Sequence, residues 1–146
     1  MGVAALAAAF AVAGCQEAAV EAEDLPHKEI ILPEGADAPT LLSPVVRTGN
    51  LLFLSGVIGT GDDIEGVEEE TREVLERIED RLATADAGLQ DVVKCTVFLV
   101  DMDDYDAMNE IYGEFFREDP PARSAIGVRE LPFGALVEIE CIAAAP

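Results

Sequence analysis

The strongest constraint on the fold is an imbalance between strand-like runs and helical segments. Six strand-like runs accompany only two amphipathic helices, in the order three strands, helix, strand, helix, two strands. Two helices can cover only one face of a six-stranded sheet. We therefore expect an α+β fold with both helices on one face of a mixed sheet, and with another subunit meeting the second face.

Helical periodicity identifies the two helices. Between Glu68 and Ala87 the apolar residues recur at a spacing of about 3.6 residues, and Gly88 follows as a stop signal. Asp103 or Asp104 is expected to cap the second helix. The apolar stripes expected to face the core are Val74, Ile78, Leu82 and Ala85 in the first helix, and Met108, Ile111, Tyr112 and Phe115 in the second.

Strand patterns surround these helices. "PVVRTGNLLFLSGV" predicts two strands across a Thr-Gly-Asn turn. The second of them, residues 51–57, is almost continuously apolar, which is typical of a strand buried on both faces.

The last two strand-like runs contain charged side chains, and their role depends on which face of the sheet they occupy. Alternation places Ser124, Ile126 and Val128 on one side of the first strand and Arg123 on the other. In the last strand, Glu138 lies on the side opposite to the apolar residues Val137 and Ile139. We expect the aliphatics to face the helices and the charges to face the uncovered side. A hairpin through "LPFG" would set Arg123 roughly across from Glu138 to Glu140, and the alternative is that another strand lies between these two.

The composition limits the partners. The length of 146 residues suits one domain. The formal charge of −21 repels a phosphate backbone. We expect no nucleic acid partner, and stability that rises with added salt because counterions screen self-repulsion.

The first 26 residues are predicted to lie outside the domain. Residues 1–15, "MGVAALAAAFAVAGC", suit the apolar region of an export signal, and "VAGC" resembles the lipobox of bacterial lipoproteins. This predicts a lipid on Cys15, an acidic tether over residues 16–26, a domain over 27–146 and a location in the cell envelope. The alternative is an Ala-rich leader without signal function on a cytoplasmic protein.

The remaining cysteines and the single histidine suggest no metal chemistry. Cys95 and Cys141 both lie on the apolar parity of strands, which favours buried free thiols and leaves a disulfide as the alternative. His27 has no second histidine or nearby cysteine to complete a metal site.

Four segments together resemble the RidA/YjgF family, also called the endoribonuclease L-PSP family. They are "RTGNLLFLSGVIG", "DVVKCTVFLVDMDDYDAMNEIYGEFF", "PPARSAIGV" and "LPFGALVEIECIA". The resemblance covers essentially all of residues 27–146. It implies a chorismate-mutase-like α+β fold, a homotrimer with pockets between subunits, and a reaction without metal or cofactor.

The resemblance also implies roles for individual residues. Arg123 would clamp a substrate carboxylate, and Glu138 would position the water that attacks an imine carbon. The ligand would be a small carboxylate such as a 2-enamine or 2-imino acid, hydrolysed to a 2-oxo acid and ammonia. The other positions that match the pocket of the family are Ser55, Gly56, Asn109 and Ala125.

Three departures from the family pattern keep other functions open. Leu42 stands where deaminating members usually have tyrosine, Val57 where they have glutamine, and Ala125 where they have cysteine. The first hypothesis is an imine or enamine deaminase. The second is a trimeric binding or chaperone-like module without turnover, and the third is a ribonuclease, which the charge disfavours.

Overall fold

A computed structural model describes residues 27–37, 41–61 and 64–145, and shows one mixed sheet of seven strands with two α-helices on one face. The strand order is β1-β2-β3-β7-β5-β6, and β4 also pairs with β7. The elements are β1 Lys28–Ile31, β2 Val45–Thr48, β3 Leu51–Leu54, β4 Val57–Ile58, α1 Gly66–Ala83, β5 Val92–Leu99, α2 Tyr105–Phe115, β6 Ala122–Gly127 and β7 Val137–Ala144.

The predicted core stripes of the helices are largely confirmed. Val74, Ile78 and Leu82 of α1 and Met108 of α2 have no exposed surface. The predicted residue Asp104 does occupy the N-cap position of α2, but its side chain makes no capping hydrogen bond. The carboxylate of Asp101 caps this segment by accepting the Asp103 N–H, and a 3₁₀ turn then leads into α2.

The apolar run at residues 51–57 was predicted as one strand buried on both faces, and this is wrong. It divides into β3 and β4, with the break at Ser55 and Gly56. In β3, Leu52 and Leu54 face the helices, whereas Phe53 remains 39% exposed on the other side. Among the described residues, only one face of this sheet is covered.

The predicted hairpin between the last two strands is also wrong, and the alternative of an intervening strand is correct. Strand β5 lies between them, parallel to β6 and antiparallel to β7. The helix α2 connects β5 to β6, and a connection through a helix is what parallel neighbours require. Sequence-adjacent strands β6 and β7 are therefore separated by one strand.

The sheet surface away from the helices, here called the open face, mixes apolar and charged residues. Its exposed apolar side chains include Ile30, Phe53 and Ile126. Its charged side chains on the described strands are two lysines and two glutamates, so they balance. These residues are Lys28, Lys94, Glu138 and Glu140.

Cys95 and Cys141 form a disulfide, so the favoured prediction of free thiols is wrong and the alternative is correct. The register of β5 and β7 places the two cysteines directly opposite each other, with a Cα–Cα distance of 4.2 Å. Both side chains are buried on the helix side of the sheet. Sequence parity identified the burial, but only the strand pairing shows the proximity.

The predicted signal segment, Cys15 and the tether lie outside the described residues. Among the residues that are described, no helix combines the length and the apolar character needed to span a bilayer.

Candidate functional site

Arg123 lies on β6 beneath α2, in a group here called the arginine cluster: Arg123, Tyr105, Met108, Asn109 and Tyr112. Its Nη2 donates a hydrogen bond to Oδ1 of Asn109 at 2.5 Å and a longer one to the Tyr105 hydroxyl at 3.3 Å. Its Nη1 contacts Sδ of Met108 at 3.9 Å. The guanidinium carbon is 4.5 Å from the centroid of the Tyr112 ring. One face of one helix therefore supplies the surroundings of this guanidinium.

This position corrects the prediction for the faces of β6. Arg123 and Ala125 face the helices, while Ser124 and Ile126 are exposed on the open face. Alternation separates the two faces of a strand but does not reveal which face is covered. The arginine can face a helix because Tyr112 and Asn109 solvate its charged end.

The phenol of Tyr112 is enclosed beside this guanidinium. Tyr112 is 6% exposed, and its hydroxyl has no hydrogen-bond partner among the described residues. Burial raises the pKa of Tyr112 to about 12, although the positive charge of Arg123 acts in the opposite direction. The side chain is therefore a neutral aromatic surface at physiological pH.

Glu138 lies on the opposite face of the sheet, in what we call the glutamate niche: Glu138, Gly56 and Ser55. Ile58 of β4 pairs with Glu138, and the strand break just before β4 brings Gly56 against the carboxylate. An alanine Cβ at position 56 would be 2.8 Å from Cδ of Glu138 and would also overlap Oε1. The absence of a side chain at Gly56 thus makes room for the carboxylate.

Two arginines of α1 bind the backbone around this niche. Nη1 of Arg81 donates to the Ser55 carbonyl at 2.8 Å, and Nη1 of Arg77 donates to the Ile58 carbonyl at 2.8 Å. Burial, with a smaller contribution from Arg77, lowers the pKa of Arg81. The Ser55 hydroxyl donates to the Ser43 carbonyl at 2.7 Å. The strand break is therefore fixed from both sides.

A buried carboxylate fixes the beginning of β7. Glu70 of α1 is 8% exposed, and its Oε2 accepts the Leu136 N–H at 2.7 Å and the Val137 N–H at 3.4 Å. These donors precede Glu138 by one and two residues. The helix α1 consequently contacts both chain segments that form the glutamate niche.

The arginine cluster and the glutamate niche are separated within one chain. Cys95 is the register partner of both Arg123 and Cys141, and Glu138 lies three residues before Cys141. Strand spacing and rise per residue place the Cα atoms of Arg123 and Glu138 about 14 Å apart. Their side chains also point to opposite faces. The predicted pair is not assembled by a single copy of the chain.

The predicted pocket residues are divided in the same way. Asn109 and the partly buried Ala125 are on the side of Arg123, whereas Ser55 and Gly56 are on the side of Glu138. Two adjoining cavities on the open face, of about 310 and 370 Å³, both border Ser55.

Two of the departures from the family pattern have different positions. Leu42 lines the larger cavity and is 61% exposed. Val57 is 2% exposed and packs in the core, so its side chain does not line either cavity. Across the described residues, no group of three or more His, Cys, Asp or Glu side chains could hold a metal ion.

Sequence reasoning missed the supporting residues of both groups. Tyr112 was identified only as a core residue, and Glu70, Arg77 and Arg81 were not identified. The sequence did contain a signal for the contacts to the backbone near Ser55. Arg77 and Arg81 are one helical turn apart in α1, beside its apolar stripe.

Comparison with known proteins gives consistent similarities. The family model described as Endoribonuclease L-PSP matches residues 35–145. A RutC family protein of Pyrococcus horikoshii is 44% identical over 122 residues, covering 80% of this chain and 97% of the relative. The 3-aminoacrylate deaminase RutC of Acinetobacter baylyi is 37% identical, with coverage of 80% and 97%. The chloroplastic Reactive Intermediate Deaminase A of Arabidopsis thaliana is 41% identical, with coverage of 80% and 65%.

Solved structures agree with this picture of the fold. The crystal structure of RidA from an Antarctic Psychrobacter has a TM-score of 0.72 and 34% identity, with coverage of 80% of this chain and 98% of that chain. The crystal structure of E. coli TdcF with bound serine has a TM-score of 0.72 and 32% identity, with coverage of 81% and 99%.

Proposed function

The chain belongs to the endoribonuclease L-PSP family, and on that basis we propose that it is a hydrolytic deaminase of reactive 2-enamine and 2-imino acids. Two relatives at 37% and 41% identity are named as deaminases, one of them for 3-aminoacrylate. The observation that carries the proposal is the carboxylate of Glu138, seated against Gly56 at a break between two strands. The proposed substrates, such as 2-aminoacrylate, give a 2-oxo acid and ammonia.

The proposed chemistry requires an oriented water and a held carboxylate. Arg123 would bind the substrate carboxylate through its planar donors. The oxygen of a water would form a bond to the imine carbon while Glu138 accepts the water proton. That proton would pass to the nitrogen and give a carbinolamine. The remaining hydroxyl proton would then pass to the nitrogen as the carbon–nitrogen bond breaks, so that the carbonyl forms and ammonia leaves. No metal or other cofactor takes part in the proposed reaction.

We propose that the working site lies between subunits of a homotrimer. One chain holds Arg123 and Glu138 on opposite faces of its sheet, so a second copy is needed to bring one of each together. The balanced charges and exposed apolar side chains of the open face support self-association in a chain with a formal charge of −21.

Mixing two inactive variants tests this arrangement. Arg123→Ala and Glu138→Gln subunits are each expected to be inactive alone. If each site takes its arginine and its glutamate from different subunits, random mixed trimers will contain about a quarter of intact sites. Recovered activity near that fraction supports a shared site, and no recovery in verified mixed trimers contradicts it.

Turnover is tested by generating 2-aminoacrylate in situ with a serine dehydratase and following its decay. The wild type should accelerate the decay, and Arg123→Ala and Glu138→Gln should not. Arg129→Ala changes an exposed arginine, and Glu130→Gln changes the exposed glutamate beside it. These matched controls should keep activity. Decay at the buffer rate with every protein would refute the deaminase.

A non-catalytic module that binds small carboxylates is the second candidate function. Leu42 borders a cavity on the open face where the family resemblance leads us to expect tyrosine, and this favours a more apolar ligand. The E. coli relative was solved with bound serine. This candidate predicts that L-serine or a similar carboxylate binds reversibly and is not consumed.

We also propose that residues 1–15 are an export signal, that Cys15 carries a lipid, and that residues 16–26 tether a domain beginning at residue 27. The family match begins at residue 35, and the Cys95–Cys141 disulfide suits an oxidising envelope. Labelling with palmitate should mark the wild type and not Cys15→Ala. Equal label in both proteins would refute lipidation and favour a cytoplasmic protein.

A further inference from the structure

Arg123 has no ion-pair partner among the described residues, although the chain contains 30 acidic residues. The two ion pairs in the described part of the chain use Arg72 and Arg77 instead. The charge of Arg123 is met by the faces of two aromatic rings, at 4.5 Å for Tyr112 and 5.8 Å for Tyr105. Both distances lie within the range of a cation–π interaction.

The two rings are not equivalent supports. Tyr112 is closer to the guanidinium and is 6% exposed, whereas Tyr105 is 36% exposed. A cation–π interaction is stronger where water is excluded. Tyr112 also packs on Phe116, with ring centroids 4.6 Å apart.

We propose that Tyr112 is a positioning residue that holds Arg123 through its ring face and keeps the guanidinium available for a ligand carboxylate. A π face attracts the cation without accepting its in-plane N–H groups, whereas a carboxylate partner would occupy those donors. Asn109 accepts from Nη2 and fixes the rotation of the group. The inference rests on the proposed role of Arg123 in binding a carboxylate.

The hydroxyl of Tyr112 has no part in this role. It is buried without a described partner, and the pKa of the phenol is raised to about 12, so it remains neutral. The ring and the hydroxyl can therefore be separated by substitution. Tyr112→Phe keeps the π face, and Tyr112→Leu removes it.

Phe116→Leu is the matched control for lost packing. Phe116 is 7% exposed, follows Tyr112 by one helical turn, and makes no cation–π contact with Arg123. Tyr112→Leu should raise KM about tenfold with kcat changed less than about threefold. Tyr112→Phe should restore KM to within about twofold of the wild type. Phe116→Leu should lower the Tm about as much as Tyr112→Leu while leaving KM unchanged.

Two outcomes would overturn the inference. If Tyr112→Phe raises KM as much as Tyr112→Leu, the hydroxyl is the active group. If Phe116→Leu raises KM equally, the effect is a loss of packing. Calorimetric titration with L-serine repeats the comparison without turnover. The wild type could bind serine and yet turn over no imine, which would refute the deaminase. Weaker serine binding by Tyr112→Leu alone among the variants would still support the positioning role of Tyr112.

A spectroscopic reading does not depend on any ligand. The Nε–H resonance of Arg123, assigned by its loss in Arg123→Ala, should carry a ring-current shift from Tyr112. The shift should persist in Tyr112→Phe and in Phe116→Leu and should disappear in Tyr112→Leu. A resonance that does not move in Tyr112→Leu refutes the positioning role.

Discussion

Replacing Gly56 by alanine should remove activity while leaving the fold intact. The new Cβ would be 2.8 Å from Cδ of Glu138. Carbon atoms in contact lie about 3.5–4.0 Å apart, so the carboxylate must move by about 1 Å. A misplacement of about 1 Å can reduce the rate about 100-fold, which corresponds to about 2.7 kcal/mol. The loss should appear in kcat, because Arg123 is not disturbed.

The fold should tolerate this substitution because the overlapping atoms are the end of a flexible side chain. Gly113→Ala is the control, since Gly113 is an exposed position of α2 where the new Cβ meets nothing within 4 Å beyond its chain neighbours and the backbone of its own helix. It should raise stability by about 0.5–1 kcal/mol and leave kcat unchanged. The assay is the decay of 2-aminoacrylate, with a urea transition for each protein.

The shorter side chain of aspartate gives a sharper test of the cause. If the overlap displaces the carboxylate, Glu138→Asp should cost less activity in the Gly56→Ala background than in the wild type. Wild-type kcat in Gly56→Ala would refute the assigned position of Glu138. Strictly additive losses in the double variant would refute steric displacement as the cause.

Four other results are expected. Arg81→Met removes a hydrogen bond to a backbone carbonyl of the glutamate niche, and should lower stability by about 1–2 kcal/mol in urea and reduce kcat with KM unchanged. Glu70→Ala leaves buried N–H groups unpaired and should cost about 2–3 kcal/mol, whereas Glu70→Gln keeps an acceptor and should cost less than about 1 kcal/mol. Changing both Cys95 and Cys141 to alanine removes a disulfide with a sequence separation of 46 and should lower stability by about 2–4 kcal/mol. In the unfolded, unlipidated wild type without reductant, a thiol assay should find one free thiol rather than three. Free tyrosine ionises near pH 10, and Tyr112 has a pKa of about 12 in the folded state, so stability should fall between pH 10 and pH 12 and fall less in Tyr112→Phe.

The sequence predicted the parts of the fold that depend on periodicity. The buried stripe of α1 and the aliphatic face of β7 follow from spacing, and the placement of both helices on one face follows from the numbers of helices and strands. Spacing could not place Arg123, because alternation defines two faces and leaves their environments open. A residue with a charged end was assumed to avoid the helices, but Tyr112 and Asn109 of α2 stabilise that end.

One strand pairing was predictable from a signal that was not used. A helix between β5 and β6 requires a crossover, and strands joined by a crossover are parallel neighbours. This would have predicted β5 and β6 as parallel neighbours, but it leaves β7 free to pair with either of them, and only the structure shows that it pairs with β5. The disulfide follows from that pairing, since Cys95 and Cys141 then share one register position. The contact of Gly56 with Glu138 depends on an irregular strand break, which no periodic pattern describes.

The two helices support the two halves of the proposed site by different physical means. The helix α2 holds Arg123 with an aromatic face and one amide, and it leaves the cation without a carboxylate partner among the described residues. The helix α1 lies on the face away from Glu138, yet Arg81 and Glu70 bind the backbone on both sides of the glutamate niche. Changes in α2 should therefore act on the affinity for a carboxylate, and changes in α1 should act on the rate of the chemical step. In the proposed intersubunit site the two halves come from different copies of the chain, so each helix should affect its own parameter independently of the other.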